Sequence, residues 1–113
     1  MPWRDAFGFS GYAWQMARDE IIAALRREAP LFRQEGVRSV ALFGSQARGD
    51  ARPDSDVDLL VDYEPTARVS LVDFARLQRV LSERIGGKVQ LTKTPVKRPS
   101  LRAAIEADAI RVL

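Results

Sequence analysis

The chain has 113 residues, 46% of them apolar and 29% charged, with a formal net charge of +3. That is enough for one globular domain with one core and too little for two. There is no cysteine and no histidine, which excludes disulfides, thiolate metal sites, imidazole acid–base catalysis and the usual zinc centres. Any metal must be held by oxygen.

No apolar run approaches the roughly 18 residues of a membrane span, and the amino terminus lacks the pattern of a signal peptide. The expected location is therefore cytoplasmic. The charge is unevenly placed. From Asp50 to Glu64 six acids face one base, Arg52; between Glu83 and Glu106 come Arg84, Lys88, Lys93, Lys97, Arg98 and Arg102 with no acid. Such segregation suits a site that holds cations on one side and accepts phosphates on the other, although a solvated surface accounts for charge runs as well.

In chain order, residues 1–15 form an aromatic-rich extension carrying Trp3, Phe7, Phe9, Tyr12 and Trp14. It reads either as a partner-binding arm or as a loosely packed extension ahead of a domain spanning 16–113. Ala17, Ile21, Ala24 and Leu25 recur at helical spacing and predict a helix from Met16 to about Glu28. Pro30 should interrupt or kink it, with a short turn through Leu31 and Phe32 ending by Gly36. Val37–Phe43 reads as strand one. Gly44-Ser45 should open one helical turn through Ala47, with Ser45 at or near its N-cap.

Gly49 and Pro53 break the following loop, where Ser55 is expected to cap the turn into strand two, Val57–Tyr63. Ser70 and Asp73 form a capping-box pattern for a long helix with Leu71, Phe74, Leu77, Leu81 and Ile85 as its apolar stripe, stopped at Gly86-Gly87. Lys88–Thr92 reads as strand three, with Val89 and Leu91 on one face and Gln90 on the other. Ser100 is expected to cap a last helix, Leu101 to about Ala107, and Ile110–Leu113 to end as a short strand. The class is α/β (α+β): a small mixed sheet of three to four strands with helices mainly on one face.

Asp56 and Asp58 sit at alternate positions at the head of strand two. Their side chains project from the same face, roughly 6.7 Å apart along the strand. Paired carboxylates repel each other and resist desolvation, and a divalent cation relieves both problems. Mg²⁺ accepts one or two carboxylates together with substrate phosphates. The Gly44-Ser45 turn offers backbone amides and a hydroxyl to phosphate oxygens. A carboxylate pair facing a phosphate cradle is the chemistry of nucleotidyl transfer. Arg48 has two readings: it neutralises phosphate, or it pairs with Asp50 or Asp54 and fixes the loop. Lys93 and Lys97 are either phosphate contacts or ordinary solvated lysines.

Gly44-Ser45, ten residues, then Asp56-x-Asp58 resembles the signature of the DNA polymerase β-like nucleotidyltransferase superfamily. Phe43-Gly44-Ser45, Ala47-Arg48-Gly49 and Ser55-Asp56-x-Asp58-Leu59-Leu60-Val61 resemble its minimal nucleotidyltransferase (MNT) domains, over about Arg18 to Val112. The resemblance implies a nucleotidyltransferase fold. It also implies Asp56 and Asp58 as catalytic ligands of one or two Mg²⁺, and Gly44, Ser45 and Arg48 as the nucleotide-binding set. ATP would be the substrate. The family's third acid is replaced here by Gln90, a neutral amide that cannot take a proton.

Two functions follow from the resemblance. One is a Mg²⁺-dependent enzyme transferring AMP to a hydroxyl on a partner, as the antitoxin of a HEPN-domain ribonuclease toxin. The other is a binding module that neutralises its partner by contact, its site weakened by Gln90. A hetero-oligomer or a homodimer is compatible with either. Binding of nucleic acid through the basic carboxy-terminal region is disfavoured, because no aromatic follows Phe74 for base stacking.

Overall fold

A computed structural model describes residues 18–51 and 55–113; the aromatic extension and the loop residues Arg52, Pro53 and Asp54 lie outside the described residues. The elements run α1 (Arg18–Arg26), α2 (Ala29–Gln34), β1 (Val37–Phe43), α3 (Ser45–Arg48), β2 (Val57–Tyr63), α4 (Leu71–Ile85), β3 (Val89–Lys93), α5 (Pro99–Asp108) and β4 (Ile110–Arg111). The sheet order is β3-β2-β1-β4. β1 is antiparallel to β2 and to β4, while β2 and β3 are parallel, with α4 as the connection a parallel pair needs.

Both central strands alternate. Val57, Leu59 and Val61 of β2 and Val40 and Leu42 of β1 are buried. They join Ile21, Ile22, Leu25, Phe32, Leu77, Leu81 and Ile85 of the helices in one core. The intervening residues of β2, Asp58, Leu60 and Asp62, therefore face away from that core. Phe43 is opposite Asp58 in the ladder. Phe43 and Ile105 of α5 are buried outside the main cluster, so this helix gives the second face partial cover.

Local chemistry explains the helix ends. Pro30 does not kink α1; it sits in the first turn of a new helix, α2, where its missing N–H costs nothing. Ser70 accepts from the Asp73 N–H and Asp73 accepts from the Ser70 N–H, each at 3.1 Å, so the capping box forms as expected. Ser100, by contrast, is not a cap. The last helix begins two residues earlier than expected, at Pro99, with Arg98 at its N-cap. β4 is shorter than expected, two residues rather than four.

β3 is an edge strand, and α4 guards it. The Ser82 hydroxyl accepts the Val89 N–H and the Gln78 side-chain carbonyl accepts the Leu91 N–H, both at 2.9 Å. Two amides that a further strand would use are thus already taken. Combining Gln78→Leu with Ser82→Ala should cost on the order of 2 kcal/mol, about 1 for each lost bond. It should also produce concentration-dependent association. Urea titration and sedimentation check this; a loss of stability without self-association would contradict the guarding role.

Candidate active site

Register builds the site. Asp58 is the second residue of β2, flanked by Phe43 on β1 and Gln90 on β3. Neighbours in a ladder share a face, so Gln90 emerges beside Asp58. Asp56 comes two residues earlier, just ahead of β2, and both aspartates are half-buried whereas Gln90 is exposed. β1 ends at Phe43, which delivers the next residue, Gly44, against the same carboxylate.

Gly44 is the pivot. Its φ of 79° and ψ of −157° lie in a region essentially reserved for glycine. A Cβ built there would stand 2.6 Å from Asp58 Oδ2. The backbone of the Gly-Ser turn and the carboxylate are therefore in direct contact, with no space for a side chain between them. Gly44, and not Ser45, occupies the N-cap of α3. Ser45 is the first helical residue, so its hydroxyl has no capping duty. The first helical hydrogen bond is Arg48 N–H to the Gly44 carbonyl, 3.0 Å. The amides of Ser45, Gln46 and Ala47 precede that ladder, as in any first helical turn.

Burial raises the Asp58 carboxyl above the ordinary carboxylate range; the negative charge of Asp56 adds to the effect and Arg48 opposes it. Among the described residues, no arginine or lysine makes an ion pair with either aspartate. The pair is close enough to repel, and Arg48 offsets only part of that without an ion pair to either. Two carboxylates with an adjacent amide form a hard oxygen donor set that suits Mg²⁺. No cluster of three or more His, Cys, Asp or Glu side chains occurs among the described residues, and the β3 residue beside Asp58 is the neutral Gln90.

Arg48 ends α3 and reaches two carboxylates, Asp50 Oδ2 from Nε at 3.1 Å and Asp108 Oδ2 from Nη1 at 2.7 Å. Pairing with Asp50 was one of the two readings; the Asp108 contact was not anticipated, because nothing local in sequence links α5 to the Gly44-Ser45 turn. Asp54, the other partner considered, lies outside the described residues. Arg18 at the start of α1 donates to the Ala47 carbonyl at 3.1 Å, tying the far end of α3 to the helical layer. Lys93 is not brought to the site. It lies three rows beyond Gln90 on the opposite side of β3, its amine 5.8 Å from the centre of the Tyr63 ring.

Residues 19–112 match the family model described as a nucleotidyltransferase domain. The protein adenylyltransferase MntA of Thermococcus cleftensis is 38% identical over 93 residues, covering 82% of this chain and 86% of its own. A Methanocaldococcus jannaschii relative, provisionally named a protein adenylyltransferase, is 38% identical over 96 residues, 82% of this chain and 95% of its own. A solved structure provisionally described as a minimal nucleotidyltransferase superposes with a TM-score of 0.68 at 36% identity, covering 84% of this chain and 95% of that one. A toxin–antitoxin structure with AMP-PNP shares the fold at 20% identity and a TM-score of 0.61, over 85% of this chain and 72% of that one. So does a tri-AMPylated Shewanella oneidensis HEPN toxin in complex with MNT antitoxin, at 18% and 0.54, over 88% and 71%.

Proposed function

The chain belongs to the nucleotidyltransferase domain family, and on that premise we propose that it is an antitoxin that transfers AMP from ATP to a hydroxyl of a HEPN-type toxin. The observation that carries this reading is the contact between the Gly44 backbone and the Asp58 carboxylate. It supports the reading because a phosphate cradle in the turn would then lie against a metal-binding carboxylate. Asp56 and Asp58 would hold Mg²⁺, with the Gln90 side-chain oxygen as a neutral neighbour. Bound there, the ion would supply charge stabilisation for the phosphates.

The chain's own groups have separable tasks. The amides of the Gly44-Ser45 turn and the Ser45 hydroxyl bind the outer phosphates. Arg48, anchored by Asp50 and Asp108, lends positive potential to the same corner. The acceptor oxygen bonds to the α-phosphorus as the bond to the β-phosphate bridging oxygen breaks, and pyrophosphate leaves. Gln90 cannot take up the hydroxyl proton, so that proton passes to solvent and the step is slow.

Gln90 also favours a second reading, in which nucleotide binds but transfer has been lost and the partner is neutralised by contact alone. One experiment separates them: incubation with labelled ATP, Mg²⁺ and a HEPN-domain partner. Label transferred by the wild type and lost in Asp56→Asn supports the enzyme. Gln90→Asp should raise the rate about a hundredfold, the lower end of what a positioned base contributes. Label appearing only in Gln90→Asp would identify a decayed site, and a stable complex with no label in any variant would identify a binding module.

A further inference from the structure

The apolar stripe of α4 does not bury evenly. Leu77, Leu81 and Ile85 are in the core and Phe74 is half-buried. Leu71, on the same stripe by spacing, is 87% exposed, and its neighbour Val72 is 72% exposed. These are the two large exposed hydrophobics among the described residues. Folding gains nothing from an apolar pair held in water, directly beside a fully formed capping box.

Leu71 borders a trough of about 410 Å³ lined by Val69, Ser70, Leu71, Phe74 and Lys93. A second hollow, of about 380 Å³, shares Val69 and Lys93 and continues past Arg38, Asp62 and Thr94. The charges of the second hollow are partly spent, since Asp62 accepts from both Arg38 and Thr94. In the first, Lys93 is the sole charge. It rests over Tyr63 and makes no ion pair with any described carboxylate. The trough lies at the end of β2 remote from Asp58.

We propose that this trough is a docking surface for an acidic amphipathic helix of the partner protein, which seats an apolar side chain against Val69, Leu71 and Phe74 and a carboxylate on Lys93. The inference rests on the reading of this chain as one that acts on another protein, and it names the surface used. A helix fits better than an added strand, because the β3 amides that a strand would need are held by Ser82 and Gln78. Docking at this end leaves the Gly44–Asp58 corner open to whatever segment carries the acceptor hydroxyl.

The test is an NMR titration of the full ¹⁵N-labelled chain with a helical peptide bearing leucines on one face and a glutamate one turn from the central leucine. The expected result is shifts centred on Val69, Leu71, Phe74 and Lys93. Affinity should fall about tenfold in Leu71→Asp, as for an interface anchor. Lys93→Glu should weaken this peptide and favour one with lysine in place of glutamate. Absence of shifts, or shifts elsewhere, overturns the proposal. So does sedimentation showing a dimer that Leu71→Asp dissociates, since the occupant is then a second copy. Mg²⁺–ATP binding measured on the same samples keeps the readings apart: peptide binding without nucleotide binding would sink the proposed AMP transfer and leave the docking surface standing.

Discussion

Asp58→Asn is expected to give a protein that melts higher and transfers AMP far more slowly. The carboxylate is half-buried beside Asp56, and both its desolvation and that neighbour raise its proton affinity. A raised carboxyl means that the folded chain binds more protons than the unfolded chain between the ordinary aspartate value and the raised one. The contribution of Asp58 to stability therefore falls as pH climbs through that window, and the full penalty is present at neutral pH. Asparagine keeps the shape and removes the charge. The melting temperature at neutral pH should rise by about 2–5 °C, and the gain should vanish at acid pH, where the native aspartate is protonated. Transfer should drop on the order of a thousandfold, the loss of several kcal/mol of charge stabilisation. Mg²⁺–ATP should raise the wild-type melting temperature and leave that of the variant unmoved. A variant that is less stable than wild type at neutral pH would mean that Asp58 has a structural partner.

The candidate site was legible in the sequence where its proposed parts are local. Gly44, Ser45, Asp56 and Asp58 carry their chemistry in spacing, and β1 and β2 begin and end at the expected residues because alternation and turn-formers agree there. The capping box of α4 was legible for the same reason. Long-range features were not. That Gln90 falls beside Asp58 depends on the β2–β3 register and was legible only through the family resemblance, and that Asp108 meets Arg48 depends on where α5 folds back. Leu71 misled because spacing alone assigns it to the core, whereas burial on α4 deepens only from Phe74 onward. Ser100 misled because a proline just ahead of it starts a helix as readily as a serine caps one.

Gly44→Ala is expected to damage both fold and site. An L-residue at φ 79° and ψ −157° is strained wherever it sits, at a cost of about 1–3 kcal/mol. Here the methyl would in addition stand 2.6 Å from Asp58 Oδ2, and the strand carrying Asp58 is pinned by its ladders to β1 and β3. Relief requires the turn to swing away or the carboxylate to rotate, and either movement separates the turn amides from the Asp58 oxygens, the two halves of the proposed site. Nucleotide affinity should thus fall further than stability does, with Mg²⁺–ATP losing its effect on melting while the chain still folds. Pairing the change with Asp58→Ala distinguishes the two costs. Shortening the acid removes the clash and should return part of the lost stability, but the backbone strain stays and nucleotide binding does not recover. If Gly44→Ala binds Mg²⁺–ATP like the wild type, the turn is not the phosphate cradle, and the acidic pair must serve some other ligand.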